Sequence, residues 1–99
     1  MHGDFKTPGG KLVRVDFDLD GGRLRNVVVS GDFFLYPEEV IDDIRGALEG
    51  ASADLTETDI AIMVASAMPV GAEWLGSSPA ALATAVRRAL TETEDGQDQ

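Results

Sequence analysis

The segment Val27–Pro37 reads VVVSGDFFLYP, and the rest of the chain is arranged around it. Its β-branched start predicts a strand, and Ser30-Gly31-Asp32 interrupts that strand with residues that are typical of turns. Gly31 allows a positive φ or a close approach between two backbones. Phe33 and Phe34 follow as candidate core anchors, and the proline and two glutamates after them predict the start of a helix. The segment therefore predicts a strand, a kink and a helix in direct succession.

The residues before this segment predict a β-hairpin. Apolar and charged residues alternate from 12 to 20, which is the period of a strand with one buried face. Asp20-Gly21-Gly22-Arg23 is a hairpin signal, because both central residues tolerate a positive φ. A two-residue loop there gives the pairs Asp20–Arg23, Leu19–Leu24, Asp18–Arg25 and Val15–Val28. This register leaves Val27 and Val29 on the mostly polar face, where either another element of this chain or another chain would cover them.

The remaining segments predict helices and irregular structure. Residues 3–11 contain a proline and two adjacent glycines, which predict a loop. Three amphipathic patterns follow the sheet, the first with Pro37 as its first helical residue, the second capped by Thr56 and the third by Ser78. We therefore expect an α+β fold, with a small antiparallel sheet of about three strands and three helices packed on one face. Residues 1–90 form one domain in this interpretation, and 91–99 a flexible acidic tail.

Composition narrows the functions open to the chain. Its 99 residues carry a net charge of −10, with 18 acidic and 8 basic residues, which argues against nucleic acid and anionic membranes as partners. Without cysteine there is no disulfide, thiolate nucleophile or cysteine-ligated metal. With His2 as the only histidine, we expect neither a Ser-His-Asp triad nor a multi-histidine metal site within one chain. No signal-peptide pattern or membrane-spanning apolar run is evident, so we expect a cytoplasmic protein.

The only two lysines flank a glycine-rich stretch. Lys6, Pro8, Gly9, Gly10 and Lys11 invite comparison with a phosphate-binding loop, but the spacing does not fit a Walker motif. Consecutive backbone N–H groups and two ammonium groups suit a generic phosphate or carboxylate contact. The plainer interpretation is a loop that leads into a strand.

These motifs together resemble a known family. The pattern Lys6-x-Pro8-Gly9-Gly10-Lys11-Leu12-Val13, followed after the hairpin by Ser30-Gly31-Asp32-Phe33-Phe34-x-x-Pro37-Glu38-Glu39, resembles the C-terminal accessory domain of lipoate–protein ligases. The later Gly76-x-Ser78-Pro79, before an amphipathic helix, is similar to the final segment of that domain. The resemblance covers about residues 5 to 90, and it indicates a stand-alone small subunit.

The resemblance implies a function and a partner. In this family the larger catalytic subunit carries the ATP and lipoate pockets, and the pair uses ATP, Mg and lipoate to form lipoyl-AMP. The lipoyl group then passes to a lysine of a lipoyl domain, and the accessory domain is needed mainly for activation. The fold is expected to be similar to the SufE/NifU-like fold of iron–sulfur proteins, although this chain has no cysteine to hold a cluster. The resemblance implies no cofactor bound by this chain alone.

The candidate site is an interface or a surface near the adenylate, with no catalytic residue assigned. No acid–base pair or activated nucleophile can be assembled from the sequence. The candidate residues come from the two glycine-containing motifs: Lys6, Pro8, Gly9, Gly10, Lys11, Ser30, Gly31, Asp32, Phe33 and Phe34.

Two other functions stay open. One is a non-catalytic binding module for a lipoyl or acyl-carrier domain, which the net charge of −10 disfavours because lipoyl domains are themselves usually acidic. The other is a stand-alone enzyme, which the lack of catalytic residues disfavours.

Overall fold

The structure is a computed structural model that describes the backbone of residues 1–97 and the side chains of residues 1–91. Within residues 1–97 the chain forms five strands and three helices, in the order β-β-β-β-α-α-β-α. Their bounds are β1 His2–Lys6, β2 Leu12–Asp20, β3 Arg23–Gly31, β4 Phe34–Tyr36, α1 Val40–Leu48, α2 Glu57–Ala67, β5 Glu73–Leu75 and α3 Pro79–Gln97. The predicted α+β class is confirmed.

The main sheet is antiparallel, with β2 between β1 and β3. Strand β1 replaces the loop that the sequence predicted for residues 3–6, so that prediction is wrong there. Gly3 lies directly against the backbone of α3, where a Cβ atom would overlap the carbonyl of Ala85 and the N–H of Ala89. A glycine that weakens a strand in isolation here allows close packing between a strand and a helix.

The β2–β3 hairpin has the predicted register only near its turn. Leu19 pairs with Leu24, as predicted, but Val15 pairs with Val29 rather than with Val28. A bulge causes the shift, since one extra residue of β3 is accommodated where Asn26 adopts a φ of 56°. Because of the bulge, the following residues of β3 lie on the opposite face of the sheet from the one that the predicted register gives them. Val27 and Val29 are therefore buried in the core. Of the two alternatives for these residues, cover by another element of this chain is correct and contact with another chain is wrong.

Two side chains at the C-terminal end of α1, Arg45 in the helix and Glu49 immediately after it, hold the bulge from outside the sheet. The carboxylate of Glu49 accepts hydrogen bonds from the backbone N–H groups of Asn26 and Val27, each at 3.0 Å. Arg45 donates from Nε to the carbonyl of Val27 at 3.1 Å. These backbone hydrogen bonds, first that of Val27, lower the pKa of Glu49 below its ordinary value. The outer edge of β3 is thus covered at the bulge.

The helices cover one face of the main sheet, and two of them begin at the predicted caps. Thr56 Oγ1 accepts from the N–H of Asp59, and Ser78 Oγ accepts from that of Ala81, each at 3.1 Å. Helix α1 begins at Val40, so Pro37 is not its first residue. Instead Pro37 accepts from the N–H of Val40 in a turn that follows β4.

The core lies between the main sheet and the helices. Its members are buried apolar residues of β2, β3 and all three helices: Val13, Val15, Phe17, Leu24, Val27, Val29, Val40, Ile44, Leu48, Ile60, Val64, Ala81, Leu82, Ala83, Ala85, Val86 and Ala89.

Helix α3 continues to Gln97, so its backbone includes most of the range 91–99 that the sequence assigns to a flexible acidic tail. Positions 98 and 99 lie outside the described residues, and the flexibility of the tail stays a prediction. Among the described helices, none is both long enough and apolar enough to cross a membrane.

Candidate functional site

The Pro-Gly-Gly-Lys segment is a tight loop between β1 and β2. The N–H of Gly10 donates to the carbonyl of Thr7 at 2.7 Å, and Gly9 has a φ of 75°, which favours glycine. Lys6 ends β1 and Lys11 precedes β2, and both side chains are exposed at the same end of the sheet. Among the side chains of residues 1–91, no ion pair involves either lysine. Both ammonium groups are therefore free to meet an anion.

The Ser-Gly-Asp-Phe-Phe segment is a kink at the end of β3. Gly31 has a φ of 149°, and a Cβ atom there would overlap the carbonyl of Leu12. The N–H of Asp32 donates to that same carbonyl at 3.0 Å. The close approach expected at Gly31 is therefore present, and it fastens the kink to the first residue of β2.

The two phenylalanines after the kink face opposite ways. The ring of Phe33 is half-buried and meets Trp74 edge-on, with 5.3 Å between the ring centroids. Phe34 is 74% exposed. Phe33 therefore anchors the kink to the core, as the sequence predicted for both rings, whereas Phe34 points to solvent.

Gly76, between β5 and α3, joins the loop and the kink. Its carbonyl accepts from the N–H of Lys11 at 2.9 Å. Its φ is 91°, and a Cβ atom there would lie 2.8 Å from Cγ of Lys11 and 3.5 Å from Cα of Phe33. Only glycine fits between these neighbours without displacing Lys11. The structure therefore brings nine of the ten predicted site residues into one region, which we call the glycine-loop end: residues 6–11, 30–33, 74 and 76–78. The tenth, Phe34, points away from this region.

A shallow hollow of about 270 Å³ lies within the glycine-loop end, between residues 7–10 and residues 76–78. Three buried polar atoms nearby, Thr7 Oγ1, Trp74 Nε1 and Ser77 Oγ, have no hydrogen-bond partner among the described residues. A buried donor or acceptor that stays unpaired costs about 1–3 kcal/mol, so each of these three atoms is expected to have a polar partner outside the chain.

Thr7, Trp74 and Ser77 are not among the predicted site residues. In the sequence Thr7 precedes Pro8 and Ser77 follows Gly76, whereas Trp74 has neither a glycine nor a proline beside it. The chemistry that the region offers is recognition of an anion or of a partner chain. Among the described residues, no group of three histidine, cysteine, aspartate or glutamate side chains could hold a metal ion.

Comparisons with known proteins point in one direction. No protein-family model matches the chain. It is 44% identical over 43 residues to lipoate-protein ligase A subunit 2 from Thermoplasma acidophilum, a stretch that covers 43% of this chain and 46% of that subunit. The match thus spans about half the length of this curated relative.

A solved structure gives wider coverage. The chain superimposes with a TM-score of 0.66 and 30% identity on a chain from the structure of an archaeal lipoylation system, a bipartite lipoate protein ligase and its E2 lipoyl domain from Thermoplasma acidophilum. The similarity covers 88% of this chain and 98% of that chain.

Proposed function

Because the chain belongs to the family of small accessory subunits of lipoate–protein ligases, we propose that it acts as the accessory subunit of a two-component ligase. Its partner is a larger catalytic subunit, which converts lipoate and ATP to lipoyl-AMP with Mg. The lipoyl group then passes to a lysine of a lipoyl domain. The small subunit is needed for the activation step, it forms a heterodimer with the larger chain, and it acts in the cytoplasm.

The observation that supports this function most directly is the convergence at the glycine-loop end. The Lys11–Gly76 hydrogen bond and the Phe33–Trp74 contact hold two exposed loops in one arrangement. The loops carry the only lysines of the chain, outside any ion pair of the described side chains. A fixed loop with exposed cations suits a task of positioning and charge stabilisation.

Lipoyl-AMP formation releases pyrophosphate, so negative charge develops on the leaving phosphates. An ammonium group held near that charge stabilises the transition state by a few kcal/mol. We place Lys11, with Lys6 beside it, toward the phosphates in the complex. The loops around Gly9 and Gly31 contact the ATP-side loops of the larger subunit, and they order those loops before the reaction.

The unpaired polar atoms of Thr7, Trp74 and Ser77 support the same arrangement. Polar groups that are buried in the isolated chain find partners when a second surface or an anion closes over them.

The experiment is pyrophosphate release by the reconstituted pair with Lys11→Met. This change keeps the aliphatic stem that packs beside Gly76 and removes only the charge. We expect the rate to fall roughly tenfold to a hundredfold, with the affinity of the two subunits unchanged. Arg23→Met is the control for loss of an exposed cation, at the opposite end of the hairpin. Because it also removes a hydrogen bond from Arg23 Nη1 to the carbonyl of Gly50 at 2.9 Å, thermal unfolding checks that this variant is folded. An unchanged rate with Lys11→Met would remove the direct role of this lysine.

A direct binding module for a lipoyl domain is the competing function, and the same preparation tests it. If this chain alone binds an acidic lipoyl domain and has no effect on pyrophosphate release, the binding module replaces the accessory subunit. The net charge of −10 opposes that result.

A further inference from the structure

The small β4–β5 sheet has one covered and one open face. Leu35 pairs with Trp74, and both are half-buried against the core. On the other face Phe34 pairs with Leu75, and Tyr36 follows two residues after Phe34. These three side chains are 74%, 57% and 69% exposed, respectively. We call Phe34, Tyr36 and Leu75 the aromatic face.

Two surface hollows extend the aromatic face on both sides of Phe34. One, of about 310 Å³, reaches Val29 and Ile41, and the other, of about 650 Å³, reaches Pro37 and Leu75. Phe34 and Leu35 line both. The result is a continuous apolar surface with aromatic residues at its centre, which is the composition of a protein-binding hot spot.

The free edge of β3 borders the first hollow. Asp32 donates to Leu12 next to the Gly31–Val13 pair, so Gly31 directs its own N–H and C=O away from β2. Val29 lies two residues before Gly31, so its backbone N–H and C=O also point away from β2. Glu49 and Arg45 cover the outward-facing backbone groups of Val27. The backbone groups of Val29 and Gly31 lie instead beside the first hollow. It can pair with an extended segment of another chain, as in β-strand addition.

The charges around the aromatic face indicate which kind of partner can bind there. Glu38 lines both hollows, Glu39 lines the second, and Glu73 pairs with Tyr36 on the open face. A second copy of the chain would bring the same carboxylates and a net charge of −10 against them, which opposes self-association. A complementary partner has an apolar segment flanked by Lys or Arg.

We propose that the aromatic face docks the larger ligase chain, which lays an extended apolar segment with flanking basic residues along Phe34, Tyr36 and Leu75. This inference rests on the proposed function, since it takes its partner from there. It gives the two ends of the site separate tasks. The aromatic face supplies affinity, and the glycine-loop end acts on the reaction.

The test measures binding of the larger ligase chain from the same organism by titration calorimetry. Tyr36→Ser combined with Leu75→Ser is expected to weaken the Kd by roughly tenfold or more. Ile62→Ser on α2 is the matched control, since Ile62 is an equally open apolar side chain, 59% exposed, away from the face. It should leave the Kd within about twofold of the wild type. Thermal unfolding of the variants checks that each one is folded.

Hydrogen exchange supplies a second readout that does not depend on a variant. The amide of Val29, beside the first hollow, should exchange more slowly in the complex than in the free chain. An unchanged Kd for the double variant, with tight binding by the wild type, overturns the docking surface and leaves the proposed function standing. A wild-type chain that binds no larger subunit overturns the proposed function and this inference together. Self-association of the wild type through this face, lost in the double variant, assigns the face to a second copy instead.

Discussion

The backbone N–H of Lys11 donates to the carbonyl of Gly76 at 2.9 Å, although 65 positions separate the two residues along the chain. This hydrogen bond fixes the lysine loop to the turn before α3. A Cβ atom placed on Gly76 would also lie only 3.5 Å from Cα of Phe33, so the kink after β3 packs against the same residue. One backbone position thus organises the glycine-loop end.

Gly76→Ala should disrupt that organisation. Alanine at a φ of 91° is strained, and its Cβ atom would press on Cγ of Lys11 at 2.8 Å. We expect a loss of about 1–3 kcal/mol in the free energy of unfolding, together with slower pyrophosphate release by the ligase pair. Urea denaturation measures the first effect. Gly71→Ala is the control, because its φ of 86° gives the same backbone strain with open space around the Cβ. Equal losses in the two variants would show that the contact with Lys11 contributes nothing.

Gly3→Ala should be among the most destabilising single changes in the chain. Its Cβ atom would overlap backbone atoms of Ala85 and Ala89, which cannot rotate away as a side chain can. We expect a loss of about 3 kcal/mol or more, because β1 and α3 must separate.

Gly46→Ala, the same chemical change at another position, should raise the stability of the protein instead of lowering it. Gly46 lies inside α1 with nothing near its Cβ position, so alanine should stabilise the protein by about 0.5–1 kcal/mol. Thermal and urea unfolding of the two variants side by side give the comparison. A Gly3→Ala variant as stable as the wild type would contradict the close packing of β1 on α3.

Glu49 should make stability depend on acid pH. Its pKa is lowered in the folded protein, first by the N–H of Val27 and then by that of Asn26. The stabilising contribution of the carboxylate is therefore present above the ordinary pKa of a glutamate, near 4.5, and is lost as the pH falls through the lowered folded value.

Urea unfolding between about pH 2 and pH 7 measures this contribution. Glu49→Gln should be less stable than the wild type at neutral pH, and the difference should shrink in acid. Glu57→Gln, at an exposed position in the first turn of α2, is the control for loss of one carboxylate. A Glu49→Gln variant that keeps the full acid dependence of the wild type would assign that dependence to other groups.

Local sequence patterns predicted much of the fold. The alternation in β2, the Gly21-Gly22 turn and the caps at Thr56 and Ser78 act over a few residues, and the structure has all of them. Interactions between distant residues account for the errors. The bulge at Asn26 depends on Glu49, the residue after α1, and β1 depends on its packing against α3. Neither leaves a periodic signal near the residues that it affects.

The site shows the same division. The two motifs that resemble the lipoate–protein ligase family identified the loop and the kink, but nothing in either motif shows how they meet. Gly76 and Trp74 supply that connection from a segment about 40 residues beyond the kink. Of the three residues of the aromatic face, only Phe34 was among the predicted site residues, whereas Tyr36 and Leu75 were not. Pairing of β4 with β5 puts them together, and a strand of three residues carries too short a pattern to predict its partner.

We propose that this chain enables the activation of lipoate and not the transfer of the lipoyl group. The most direct measurement is pyrophosphate release by the larger ligase chain with lipoate and ATP, with and without this protein, beside lipoyl transfer from preformed lipoyl-AMP to a lipoyl domain. We predict that pyrophosphate release requires this chain and that transfer from the preformed adenylate proceeds at the same rate without it. Pyrophosphate release at full rate by the larger chain alone would show that activation does not require this chain.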